Sequence, residues 1–142
     1  MKIYVDTSFL VSLYSPDANS AAAARAMQAS PADRFLTAFG ELELVNALGL
    51  RLFRKEIAAE QAKSSWKDFE SDLRDAVFQL RALTEPVFER ARRLSRQTTQ
   101  RLGTRSADVL HVAAALELGV DRLYSFDERQ RKLARAVRLR LN

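Results

Sequence analysis

The sequence predicts an α/β fold: one domain over residues 1–142, with a central, mostly parallel sheet of four to five short strands flanked by about seven helices. Three observations carry this expectation. Short runs rich in β-branched and aromatic residues, such as Lys2-Ile-Tyr-Val-Asp6 and Asp121-Arg-Leu-Tyr-Ser-Phe126, alternate with longer stretches of helical periodicity. The chain has 142 residues, 47% of them hydrophobic, which suits a single buried core. It holds only 4 glycines and 3 prolines, leaving little material for long irregular loops.

In chain order, Lys2 to Asp6 reads as a buried strand ending in a carboxylate. Thr7 and Ser8 offer N-cap chemistry for a short helix from Phe9 to Tyr14. Pro16, Asp17 and Asn19 mark a turn, and Ala21 to Ala29 is rich in good helix formers. Arg34 to Phe39 reads as a second strand. Glu41 to Arg54 shows helical spacing through Leu42, Val45, Leu48 and Leu52. Ala58 to Asp75 continues as a helix with Trp66, Phe69 and Leu73 on one side, a stripe suited to a core or a dimer face. Val77 to Leu83 reads as a short strand. Thr84 caps a helix with Pro86 in its first turn, running to about Leu102 and stopping at Gly103. Ser106 starts a helix through Leu118, closed by Gly119. Asp121 to Phe126 is a further strand ending at Asp127. A last helix covers about Glu128 to Ala136, and Val137 to Leu141 reads as an edge strand. No internal repeat, linker or low-complexity tract interrupts the chain.

Composition narrows the chemistry. The absence of cysteine excludes disulfides, thiolate zinc and a cysteine nucleophile, and fits a reducing cytoplasm. No apolar run is long enough to span a bilayer, and the N-terminus lacks a cleavage-site pattern. The formal net charge is +5, and Arg supplies 18 of the 23 basic residues. Guanidinium groups contact phosphate in a planar, bidentate manner, so an Arg-rich surface is compatible with nucleic acid. The sequence contains no P-loop, no dinucleotide fingerprint and no HExxH motif.

Ligands of open parallel α/β sheets bind beyond the carboxyl ends of the strands. Asp6 closes the first strand and Asp127 the strand before the last helix. Glu43 falls in the first turn after Thr37-Ala-Phe-Gly40, and Asp108 in the first turn after Gly103-Thr-Arg-Ser106. All four can open on one edge of the sheet. Each also has a purely structural reading: Asp6 as a turn residue, Glu43 and Asp108 as acids favoured by the helix dipole, Asp127 as an N-cap. Two carboxylates about 4 Å apart repel by about 4 kcal/mol at an intermediate dielectric. Four converging acids therefore call for a cation, and Mg²⁺ or Mn²⁺ prefers oxygen ligands. The implied chemistry is metal-assisted phosphodiester hydrolysis.

Four segments resemble the motifs of the PIN-domain family, in order and across nearly the whole chain. They are Val5-Asp6-Thr7-Ser8, Glu43-Leu-Val-Asn46-Ala-Leu48, Ser106-Ala-Asp108-Val-Leu-His111-Val-Ala-Ala-Ala115 and Tyr124-Ser-Phe-Asp127-Glu-Arg-Gln130. The resemblance, which extends to VapC-type toxins, implies an endoribonuclease dependent on Mg²⁺, with Mn²⁺ as a substitute. It further implies the toxin of a type II toxin–antitoxin pair, with an RNA substrate, a small antitoxin partner and a homodimeric assembly. It maps metal-binding and catalytic roles onto Asp6 and Asp108 first, then Glu43 and Asp127. Thr7, Ser8, Asn46 and Ser125 would support the metal waters or the neighbouring carboxylates, with Asn46 one helical turn from Glu43. Glu41 is read as solvated.

His111, the only histidine, is read as a structural group hydrogen-bonded near the site rather than a general base. Two basic stretches remain: Arg90, Arg92, Arg93, Arg96 and Arg101, and then Arg129, Arg131, Lys132, Arg135, Arg138 and Arg140. Either is a solvated face or a track for an RNA backbone or an acidic partner. Other readings of an acidic α/β pocket are a PIN nuclease of RNA processing, an inactive PIN-like binding module and a receiver-like phosphoacceptor. The last requires early paired acids, a mid-chain acceptor Asp and a late Lys at strand ends, an arrangement this sequence lacks.

Overall fold

The computed structural model describes residues 1–29 and 31–142. They form β1 (Lys2–Val5), α1 (Thr7–Tyr14), α2 (Ser20–Gln28), β2 (Asp33–Thr37), α3 (Ala38–Phe53), α4 (Ala59–Arg74), β3 (Gln79–Arg81), α5 (Glu85–Leu102), α6 (Ser106–Glu117), β4 (Arg122–Tyr124), α7 (Glu128–Ala136) and β5 (Arg140–Leu141). The sheet order is β3-β2-β1-β4-β5, and every pairing is parallel. Parallel neighbours need crossover connections, and these put helices on both faces of the sheet.

Side-chain alternation in the middle strands sorts the core into two layers. Ile3 and Val5 of β1 and Tyr124 of β4 join Phe9, Leu10, Leu36, Leu44, Leu48 and Phe69 on the α1–α4 side. Tyr4 and Leu123 point the other way, into Val87, Leu94, Val109, Val112 and Leu133 on the α5–α7 side. The chain runs outward from β1 through β2 to β3, then returns to lay β4 on the other flank of β1. The strand order thus reverses between β1 and β4, and the crevice at their carboxyl ends is the switch point where such sheets bind ligands.

Several boundaries differ from the sequence expectation for identifiable reasons. The Thr37 hydroxyl accepts from the Gly40 amide at 3.2 Å, so α3 begins at Ala38 and β2 ends two residues earlier than expected. Asp6, rather than Thr7 or Ser8, caps α1 by accepting from the Phe9 amide at 2.8 Å. β3 pairs only at Phe35↔Gln79, Leu36↔Leu80 and Thr37↔Arg81, which makes it a short, half-exposed edge. In α3 the buried positions are Gly40, Leu44 and Leu48, while Leu42, Val45 and Leu52 of the expected stripe are exposed. The α4 stripe packs into the core, with Phe69 fully buried and ringed by Tyr14 and Trp66. Among the described residues, no helix is long and apolar enough to cross a membrane.

Helix ends show a related difference. α6 closes at Gly119, whose φ of 61° matches the glycine expected there. α3, α4 and α7 close with the same left-handed geometry at Lys55, Ala76 and Arg138. At Ala76 the bonds Ala76 N–H to Leu73 O and Val77 N–H to Asp72 O complete a Schellman motif on a residue that carries a Cβ. A left-handed non-glycine residue costs roughly 1–2 kcal/mol, partly offset by the chain entropy glycine loses on folding. Ala76→Gly should therefore raise unfolding free energy by about 0.5–1 kcal/mol in urea titrations. Phe9, fully buried against Tyr124 and Phe126, tests the core in the other direction. Phe9→Ala should cost about 3–5 kcal/mol in the same assay.

Candidate active site at the carboxyl edge of the sheet

The four acids singled out in the sequence line one pocket of about 170 Å³, together with Thr7, Ser8, Arg105, Ala107, His111 and Gln130. Each is delivered by a different connection: Asp6 between β1 and α1, Glu43 from α3, Asp108 from the start of α6, and Asp127 between β4 and α7.

Asp6 is buried, at 2% exposure. Its Oδ1 accepts from the Phe9 amide and the Ser8 hydroxyl, each at 2.8 Å. Its Oδ2 accepts from Ser125 Oγ at 2.6 Å, Gln130 Nε2 at 2.7 Å and Ser8 Oγ at 2.9 Å. Ser8 and Ser125 in turn accept from the amides of Phe126 and Asp127, at 2.8 and 3.1 Å. The two hydroxyls therefore tie the ends of β1 and β4 together through the Asp6 carboxylate. Burial pushes that carboxyl above its ordinary value, against the pull of His111 and the hydrogen bonds from Ser125, the Phe9 amide and Ser8.

Glu43 lies in the second turn of α3, because the helix starts at Ala38. That position removes the helix-dipole explanation, whose influence is confined to the first turn. Its Oε1 accepts from Thr7 Oγ1 at 2.6 Å and contacts His111 Nε2. A carboxylate only accepts, so Nε2 donates, and the opposite ring nitrogen Nδ1 meets the Tyr4 hydroxyl at 2.8 Å. Tyr4 reaches on to Thr37 Oγ1 at 3.3 Å. Burial pushes the Glu43 carboxyl up, but the hydrogen bond and electrostatic pull of His111, with Thr7 and Arg105, outweigh it and hold the carboxyl below its ordinary value. His111 is buried, as expected of a structural histidine near the site.

Asp108 and Asp127 share one cation. Asp108 occupies the third position of α6, where Oδ2 accepts from the Arg105 amide at 2.9 Å. The Arg105 guanidinium reaches Asp108 at 3.3 Å through both Nε and Nη2, and the same Nη2 donates to Asp127 Oδ2 at 3.1 Å. Asp127 Oδ1 caps α7, accepting from the amides of Arg129 and Gln130 at 2.9 and 3.1 Å. Its N-cap reading and its place in the pocket therefore coexist. Hydrogen bonds to Asp108 and its charge, with lesser pulls from Asp127 and Glu43, hold the Arg105 guanidinium above its ordinary pKa, against the opposing effect of burial. Among the described residues, no three acidic or histidine side chains stand close enough together to cage a metal ion as they are now paired.

Asn46 is exposed and does not line the pocket; Thr7 and His111, not Asn46, contact Glu43. Three contributors were not anticipated. Gln130 stands three residues after a cap, a spacing that suggests a reach back to the cap amide, yet its amide is spent on Asp6. Arg105 carries no sequence signal beyond its place before a helix. Tyr4 looks like an ordinary core aromatic until the fold sets it against His111. The basic stretches are partly consumed by acids: Arg90 pairs with Glu117, Arg92 with Glu85 at 2.8 Å, and Arg135 with Glu128 at 3.8 Å. Arg131 donates to Ser125 O at 2.7 Å and Asn142 Oδ1 at 3.1 Å, bracing the loop that carries Ser125.

Comparison with known proteins follows this geometry. The sequence model of the PIN domain family matches residues 3–136. No curated protein matches the chain. Among solved structures, VapC20 of Mycobacterium tuberculosis, described as a sarcin–ricin loop cleaving toxin, is similar over 92% of this chain and 93% of its own, with 21% identity and a TM-score of 0.69. VapBC2 of Rickettsia felis, solved bound to a DNA fragment from its promoter, is similar over 100% and 98%, with 17% identity and a TM-score of 0.70. A toxin–antitoxin complex from Klebsiella pneumoniae is similar over 88% and 86%, with 16% identity and a TM-score of 0.61. At these identities the solved structures establish a shared fold.

The knot at Asp6 has a measurable consequence. Ser125→Ala removes a donor to a buried carboxylate and leaves the Asp127 amide without its acceptor. Unfolding free energy should fall by about 1–3 kcal/mol, whereas an exposed Ser106→Ala should stay within about 0.5 kcal/mol. Equal effects of the two substitutions would contradict the assignment.

Proposed function

This chain belongs to the PIN-domain family, and from that premise we propose that it is a divalent-metal-dependent endoribonuclease, the toxin of a toxin–antitoxin pair. The observation that carries the reading is the meeting of Asp6, Glu43, Asp108 and Asp127 in one pocket at the β1/β4 switch point. The toxin descriptions of the solved relatives from M. tuberculosis and K. pneumoniae favour the toxin role within that family.

The donor set suits a hard cation in kind. Every carboxylate and hydroxyl opening on the pocket offers oxygen, the element Mg²⁺ and Mn²⁺ select, and there is no thiolate to favour a softer metal. Asp6 and Asp108 would hold the ion, with Glu43 and Asp127 at its margin. A bound divalent ion supplies charge for the phosphate and a more acidic water. The chain's own side chains do the positioning. Ser8, Ser125 and Gln130 fix both oxygens of Asp6, and Thr7 and His111 fix Glu43. Asp127 is held by the first turn of α7. An acidic pocket repels RNA on its own, so the exposed guanidinium groups of Arg96, Arg101 and Arg129 would draw the backbone toward it. An antitoxin that closes the acidic pocket is the expected partner, a homodimer the expected assembly, and the cytoplasm the expected location.

Purified protein incubated with total RNA should cleave it with Mg²⁺ or Mn²⁺ present and stop when EDTA is added. Asp6→Asn and Asp108→Asn should each abolish cleavage while circular dichroism stays that of the parent. Thr7→Ala, which frees Glu43 on one side, should reduce activity by about 10–100-fold. Full activity of Asp108→Asn would refute the reading.

A further inference from the structure

Arg105 stands where the acids most need positive charge. Its guanidinium joins Asp108 at the head of α6 to Asp127 at the head of α7, residues 19 positions apart on two separate elements. A purely structural cap does not require that reach. The Arg105 amide alone satisfies the capping position, donating to Asp108 Oδ2 at 2.9 Å. The side chain adds a second function, neutralising a pair of carboxylates that would otherwise repel each other.

The pairing is also built to be broken. The Arg105 side chain keeps 59% of its surface exposed, and both guanidinium contacts to Asp108 are long, at 3.3 Å. Water reaches the cationic side of this pair and screens it, which weakens its hold. Asp108 itself is 2% exposed and anchored by the helix. A side chain anchored at its backbone and exposed at its tip can leave while the acids remain in place.

Building on the metal-dependent reading, we propose that Arg105 is an internal counter-ion that closes the acid pair in the metal-free protein and competes with the divalent cation for it. Loading the site exchanges an intramolecular guanidinium for an external ion at Asp108 and Asp127, with Asp6 and Glu43 already held by their own hydrogen bonds. The affinity for metal is thereby set below what four carboxylates alone would give. The same ion pair keeps the metal-free pocket from being destabilised by its own charge.

Mn²⁺ binding, followed by the electron paramagnetic resonance signal of the free ion, tests this without reference to RNA cleavage. The set comprises the parent protein, Arg105→Gln, Arg105→Lys and Asp108→Asn, each also melted in EDTA. Arg105→Gln should bind Mn²⁺ about three- to tenfold tighter than the parent, the range expected from removing a partly exposed ion pair. It should also melt at a lower temperature in EDTA. Arg105→Lys keeps the charge but loses the fork that spans two carboxylates, and should fall between the two. If the parent binds Mn²⁺ and Arg105→Gln binds it equally or more weakly, the counter-ion role is overturned and the metal site stands. If no variant binds Mn²⁺, both are overturned.

Discussion

A carboxylate buried at the end of the middle strand is the constraint around which the molecule is arranged. Asp6 sits almost wholly out of water, and an ionised group there is costly unless every lone pair is engaged. Its partners come from three places: its own helix through Ser8 and the Phe9 amide, the end of β4 through Ser125, and α7 through Gln130. Satisfying one side chain therefore fixes how β1, β4, α1 and α7 meet. The same contacts form the floor of the pocket, so the interaction that completes the fold also prepares the site.

The rest of the pocket is managed as an electrostatic problem with local solutions. Glu43 is paired with His111, which is backed by Tyr4 and Thr37. Asp108 and Asp127 are paired with Arg105. Asp6 has hydroxyls, an amide and a carboxamide but no salt bridge, and burial leaves its carboxyl above the ordinary value. Glu43, equally a pocket acid but paired, moves the other way. The contrast follows burial: Asp6 is almost wholly enclosed, whereas Glu43 keeps part of its surface in water and spends an oxygen on His111 and Thr7.

Parallel topology explains why residues so far apart along the chain end together. Placing β4 beside β1 requires the chain to pass through the two intervening strands, β2 and β3, and cross the sheet. The loops after β1 and β4 then open on the same edge, and the helices entered from them present their first turns to one crevice. The α5–α7 layer brings Asp108, His111 and Gln130; the α1–α4 layer brings Glu43 and Thr7. The site is a seam between two halves of the core.

The sequence by itself determined the α/β class, the order of elements and the two glycine-closed ends at Gly103 and Gly119, and it singled out four acids that line one pocket. These rest on local periodicity and on carboxylates at strand ends and helix starts, which are properties of neighbouring residues. It could not determine where α3 begins, because the Thr37 cap competes with a sequence that still reads as strand through Phe39. Nor could it show that Ala76 would adopt a conformation glycine prefers, which goes with the hydrogen bonds that close α4 onto Leu73 and Asp72. The roles of Arg105, Gln130 and Tyr4 were decided only by tertiary structure. Each acts on a partner more than twenty residues away, and one-dimensional spacing carries no information about contacts that exist only once the two core layers have closed on the sheet.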